Sequence, residues 1–230
     1  FLNSALTNQG TNRHLGRILY RFLTHSLKHY RHFCYLCRMT STSICSECGT
    51  TFESEVYQSI NVQDNPELKQ KVISGEIFIR RCPSCGKVQL AKYPLLYLDP
   101  AENLLLCLSE QELSVDGLDG YTARRVTSVG ELIEKIKIFD AGLDDVIIEL
   151  CKFVTCQEMG TGASLKFLKM DGADNDLIFT YPKNGDMEML SVGFNVYQDC
   201  GGILARNPQL SEAAKGLATV NRDWLQTFIA

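Results

Sequence analysis

One short pattern occurs twice and sets the strongest constraint on this chain. Cys45-Ser46-Glu47-Cys48-Gly49 and Cys82-Pro83-Ser84-Cys85-Gly86 are both C-x-x-C-G. Two intervening residues let both thiolates of a pair approach one ion from a single tight turn. The glycine that follows permits a positive φ, which turns backbone amides toward the sulfurs. Two such turns supply four soft ligands at about 2.3 Å in a tetrahedron, the closed arrangement of a structural zinc site. The expected cofactor is therefore Zn2+, held by Cys45, Cys48, Cys82 and Cys85, with iron as the main competitor for four thiolates. Redox dithiols and small buried hydrophobes are the alternative uses. A redox pair normally opens a helix, whereas Gly49 and Gly86 suit turns.

The chain has ten cysteines in 230 residues. Their clustering in pairs is unlike a secreted disulfide framework, so a reducing cytoplasm is the expected setting. Cys34-Tyr35-Leu36-Cys37 is a third C-x-x-C without the glycine, and spacing alone is a weak signal. Cys107, Cys151, Cys156 and Cys200 are scattered, and Cys151 falls on an apolar helical stripe that assigns it to a core.

Charge divides the chain. Residues 1–38 hold Arg13, Arg17, Arg21, Lys28, Arg31 and Arg38 and no acid, so they carry +6. Residues 39–230 carry the remaining −10 of a total of −4. All four histidines lie in the basic stretch. Three readings fit it: an organelle targeting peptide, a basic arm for nucleic acid or a membrane surface, or upstream sequence ahead of a start at Met39. Residues 15–23, LGRILYRFL, have the pattern of a short amphipathic helix. The stretch is expected to be an extension outside the fold, and no unbroken apolar run approaches the length of a membrane span.

Periodicity gives a coarse outline of the rest. Phe52, Val56, Ile60 and Val62 share one parity, which predicts a half-buried strand over 50–62. Asn65-Pro66 predicts a capped helix over 66–74 stopped by Gly75. Strands are expected over 76–81 and 87–93, flanking the second cysteine pair, and through Leu104–Leu108. Residues 109–127 read as a polar crossing. Ser128 and Glu131 form a capping box ahead of Leu132, Ile133, Ile136 and Phe139. Leu143, Val146, Ile147, Leu150, Cys151 and Val154 then line one face of a second helix, making a helical hairpin. Residues 165–170, 177–181 and 187–192 read as a three-strand meander. Phe194–Leu204 and a stretch capped by Asn221 and bearing Trp224 are expected to be helical. The predicted fold is α+β: a zinc-ribbon-like β unit over 39–110, then a helical hairpin with a small antiparallel sheet over 120–230.

The cysteine motifs also carry a resemblance. Cys82-Pro83-Ser84-Cys85 matches the C-P-x-C motif of the CpXC-domain proteins of bacteria, while Ser46 departs from it in the first pair. The similarity runs through YQSINVQDNPELKQKVISGEIFIRRCPSCG, YPLLYLDP and ELIEKIKIFDAGLDD, about residues 43–160. It implies a zinc-ribbon-like domain whose family has an established fold and no established activity.

From Met39 onward the chain has no histidine, which removes the usual general base and the Ser–His and Cys–His nucleophile pairs. A four-thiolate site leaves no open position for water. Gly160-Thr161-Gly162 reads as a turn rather than a phosphate loop. The expectation leans away from an enzyme, with Lys, Tyr, Asp and Glu chemistry left open. A zinc-binding scaffold or interaction module with an unidentified protein partner is the leading reading. The alternative is nucleic-acid or transcription-machinery binding through Arg80, Arg81, Lys87 and Lys92, disfavoured because phosphate binding is dominated by charge and the body is acidic.

Overall fold

The computed structural model describes residues 38–111, 120–160 and 162–229. Residues 1–37 of the basic extension, with LGRILYRFL and Cys34-x-x-Cys37, and residues 112–119 of the predicted crossing lie outside the described residues. The chain is mixed α and β with several small sheets, and it divides into two units that meet between Val129 and Gly130.

In the first unit, β1 (Arg38–Ile44) and β2 (Thr51–Tyr57) form an antiparallel hairpin around the first cysteine pair. The single strand predicted over 50–62 breaks at Gln58. Its second part, β3 (Ser59–Asn61), pairs elsewhere, parallel to β6 (Leu95–Asp99). Helix α1 (Pro66–Ile73) starts at Pro66 as predicted, but the Asn65 side chain caps nothing and bonds instead to the Asn61 carbonyl. Gly75 ends the helix at φ 76°, a conformation that costs a side chain with a Cβ about 1–2 kcal/mol. Residues 76–78 form a 3-10 turn rather than the start of a strand. The second hairpin, β4 (Ile79–Arg81) with β5 (Val88–Leu90), is correspondingly short.

The core of this unit is the order β8-β7-β6-β3, with β7 at Leu104–Leu108 and β8 at Thr122–Val126. β6 and β7 are antiparallel, and β7 and β8 are parallel. Every residue of β6 and β7 is buried, as in a central strand covered on both faces. A continuous apolar run such as LLYL has no period to betray a strand, and β6 was not predicted. Asp99, at its end, is buried and takes Lys69 of α1 at 2.8 Å and the Tyr97 hydroxyl at 3.4 Å. That pair pins α1 to the sheet.

The second unit opens with the predicted hairpin, α2 (Val129–Asp140) and α3 (Asp145–Glu158). Asp144 is the N-cap of α3, accepting from the amides of Val146 at 2.8 Å and Ile147 at 3.1 Å. The meander follows as β9 (Lys166–Asp171), β10 (Asp176–Lys183) and β11 (Asp186–Val192), all antiparallel. Helices α4 (Phe194–Arg206), α5 (Pro208–Ala213) and α6 (Arg222–Ile229) complete the unit. Asn221 sets α6, its side chain accepting from the Trp224 amide at 2.9 Å. One core joins Val146, Leu150 and Cys151 of α3 to Phe167 and Phe179 of the sheet and Cys200 of α4. Among the described residues no helix is long and apolar enough to cross a membrane.

Candidate metal centre

The two cysteine pairs occupy turns of the same construction. In the first, the Gly49 amide donates to the Cys45 carbonyl at 3.0 Å and the Cys45 amide to the Thr50 carbonyl at 2.9 Å. In the second, Gly86 donates to Cys82 at 3.0 Å and Cys82 to Lys87 at 2.9 Å. Gly49 and Gly86 sit at φ 70° and 73°. The sequence repeat is thus a structural repeat, bond for bond. Gln89 ties the turns together: its Oε1 accepts from the Ser46 amide at 3.3 Å and its Nε2 donates to the Ile44 carbonyl at 3.4 Å.

The four sulfurs converge, all within 4.8 Å of one another. Cys45 Sγ and Cys85 Sγ are 3.6 Å apart, as are Cys48 Sγ and Cys82 Sγ. These distances exclude disulfides, whose sulfurs stand about 2.05 Å apart. A tetrahedron of ligands at about 2.3 Å from a central ion has edges of about 3.8 Å, close to what is seen. Cys45 and Cys82 are buried and Cys48 and Cys85 exposed, so the cluster is walled on one side only. Four cysteines so placed form a set that can hold a metal ion.

The turns shift the cysteines in opposite directions. The Thr50 hydroxyl, 3.2 Å from Cys48 Sγ, and then the Thr50 amide hold the Cys48 thiol down at about 6. The amides of Cys48 and then Glu47 lower Cys45. The Lys87 amide also favours the Cys85 thiolate, but desolvation and the three neighbouring sulfurs outweigh it and push Cys85 up to about 12. The turns thus favour thiolate at Cys45 and Cys48, while burial and hydrogen bonds from the neighbouring thiols keep Cys85 protonated.

The four basic residues do not form one exposed patch. Arg80 is 7% exposed, and its Nη1 donates to the carbonyls of Ile77 at 2.7 Å and Ile79 at 3.0 Å. It is turned inward, away from any phosphate backbone, because β4 alternates and places Ile79 and Arg81 outside. Arg81 is exposed and donates to the Gly86 carbonyl at 3.2 Å. Lys87 pairs with Glu47 at 3.5 Å, and Lys92 is exposed. Cys107, Cys151 and Cys200 are buried, and Cys156 is half-buried and donates to the Ala163 carbonyl at 3.3 Å.

Residues 44–152 match the family model described as CpXC protein. No curated protein and no solved structure matches the chain. The matched span takes in both cysteine turns, the β3-β6-β7-β8 strands, α2 and half of α3. Residues 44–152 are a CpXC domain.

Proposed function

We propose that Cys45, Cys48, Cys82 and Cys85 hold one Zn2+ as a structural site, and that the first unit is a zinc-ribbon-like scaffold serving protein interaction in the cytoplasm. The two 3.6 Å sulfur pairs carry the metal reading, since they approach the edge length of a zinc tetrathiolate. Exposed apolar side chains beside the turns support the interaction role. Ile79 faces Leu90 across the second hairpin, with Val88 next to them and Ile44 beside the first turn. Three exposed large apolar residues, Ile79, Val88 and Leu90, thus stand on the short β4–β5 hairpin, a high concentration for its size.

Full-length protein purified under reduction should carry one zinc per chain by elemental analysis. X-ray absorption should give a shell of four sulfurs at about 2.3 Å, and Cys82→Ser should lose most of the metal. A metal-free reduced sample, or iron in place of zinc, would overturn the assignment. A second reading, nucleic-acid binding, is favoured by the exposed Arg81 and Lys92 beside the second turn. The −10 of residues 39–230 and the inward Arg80 weigh against it.

A further inference from the structure

Beside the metal centre, a cleft of about 470 Å³ opens along β2 and β4. That size lies within the roughly 300–1,000 Å³ of small-ligand sites. Phe52, Tyr57, Ile77 and Ile79 give it apolar walls, and Arg80 lines it too. Arg80 is the anomaly. Its Nη1 is spent on the Ile77 and Ile79 carbonyls, and its guanidinium carbon lies 5.5 Å from the Tyr93 ring centroid. Its Nε and Nη2 are buried with no partner in hydrogen-bond geometry, although the guanidinium also acts on the Tyr93 hydroxyl and partly offsets the rise that burial gives it. Among the described residues no carboxylate forms an ion pair with it. A guanidinium removed from water with donors unmet is costly, and proteins normally meet such groups.

The unmet donors are not scattered. Nε–H and the Nη2–H beside it project in one plane from the same edge of the guanidinium. That edge receives both oxygens of a carboxylate in a two-point fork. One complete fork is thus unmet on a residue that lines the cleft, covered from it in this conformation. The walls also select among anions. Glu53, Glu55 and Glu76 line the same cleft, against Lys71 and Arg81, and Glu76 already takes Lys71 at 3.6 Å. Such a lining tolerates a single negative charge at Arg80 and repels a phosphate dianion.

We propose that this cleft is a carboxylate-binding site, in which Arg80 Nε and Nη2 hold both oxygens of a monocarboxylate whose apolar body lies against Phe52 and Ile77. Both nitrogens are shut off from bulk water, so the carboxylate reaches them by turning a lining side chain aside. A free small acid and the C-terminus of a peptide offer the same group. The site is independent of which metal the cysteines hold.

Titration of the full chain, labelled with 15N-arginine, tests this by following the Arg80 Nε–H signal. Butyrate or the tripeptide Gly-Ala-Val should shift it saturably, while the amidated tripeptide and inorganic phosphate should not. Tripeptide binding at least tenfold tighter than butyrate identifies a peptide terminus as the source, and equal or weaker binding a small acid. Arg80→Lys, which replaces the fork with a point charge, should weaken binding at least tenfold. Ile79→Trp fills the cleft and keeps Arg80, and should weaken binding as much even if Arg80→Lys fails to fold. The proposal is overturned if neither carboxylate shifts the signal, if phosphate or the amide shifts it equally, or if Ile79→Trp binds normally. A signal already protected without ligand and unmoved by any probe would mean that a wall glutamate fills the fork, and would also overturn it.

Discussion

Lys135 Nζ and Asp145 Oδ2 lie 2.7 Å apart, with side chains only 4% and 1% exposed. They belong to a buried network that joins α2 to α3 and to β9. Lys152 bonds Glu149 at 2.6 Å and Glu134 at 3.1 Å, and Glu134 also takes Lys166 and the Phe167 amide. Three acids face three lysines, so the charges balance. Buried pairs of this kind add little over a well-packed apolar core, but removing one member strands its partner.

Glu134→Ala should therefore destabilise the second unit by about 3–5 kcal/mol, the range for an uncompensated buried charge. Urea denaturation followed by far-UV circular dichroism measures it. A loss under about 1 kcal/mol would show that water reaches Lys152 in the native protein.

The same network should set the pH range of stability. Burial alone would raise Glu134, but Lys152 first, then Lys166 and the Phe167 amide, hold it below its ordinary 4.5. Burial would lower Lys152, but Glu134 and Glu149 raise it above 10.5. The acid's contribution is present above pH 4.5 and is lost as pH falls through its lower folded value. The lysine's is present below 10.5 and is lost as pH rises through its higher folded value. Melting temperature should form a plateau between these limits, and Glu134→Gln should flatten the acid limb.

Gly86→Ala tests the second cysteine turn. An added Cβ at Gly86 meets nothing within 4 Å, so only the positive φ opposes it. The expected cost is about 1–2 kcal/mol. It should appear as roughly tenfold weaker metal retention against a competing chelator. Gly49→Ala should behave alike, because the turns match bond for bond.

Metal removal should act locally. Chelation should abolish hydrogen-exchange protection at the Gly49, Cys82 and Gly86 amides while amides inside α3 stay protected, because metal binding supplies folding energy where its ligands sit. Equal loss at both sets would make the two units one cooperative block.

The four-cysteine cluster was legible because its chemistry is local: two residues of spacing and one glycine determine each turn. The hairpin and the meander were legible through their periods. The failures have particular causes. β6 is apolar throughout and β8 carries Arg124 and Arg125, so neither shows alternation, and both are strands only because neighbours pair with them. On α2 the apolar pattern named Ile133 and Phe139, yet both are half-buried while Glu134, Lys135 and Ile138 are buried. Charges count as solvent-facing in any pattern, and only partners brought from elsewhere in the chain make their burial tolerable. Arg80 misled for the same reason: a basic residue next to basic residues reads as surface until the strand's alternation turns it inward.

Parallel neighbours need a long connection, and the one between β3 and β6 contains α1 and the entire β4–β5 hairpin. A bond from Cys48 through an ion to Cys82 spans 34 residues and encloses β3. Closing a loop of that length early removes chain entropy that the β3–β6 pairing would otherwise have to overcome alone. Contacts distant in sequence are the ones that slow folding. An ion held there would thus act on the rate at which the sheet assembles as well as on its final stability, and a chain synthesised without it would spend longer with β6 unpaired and its leucines open to other molecules.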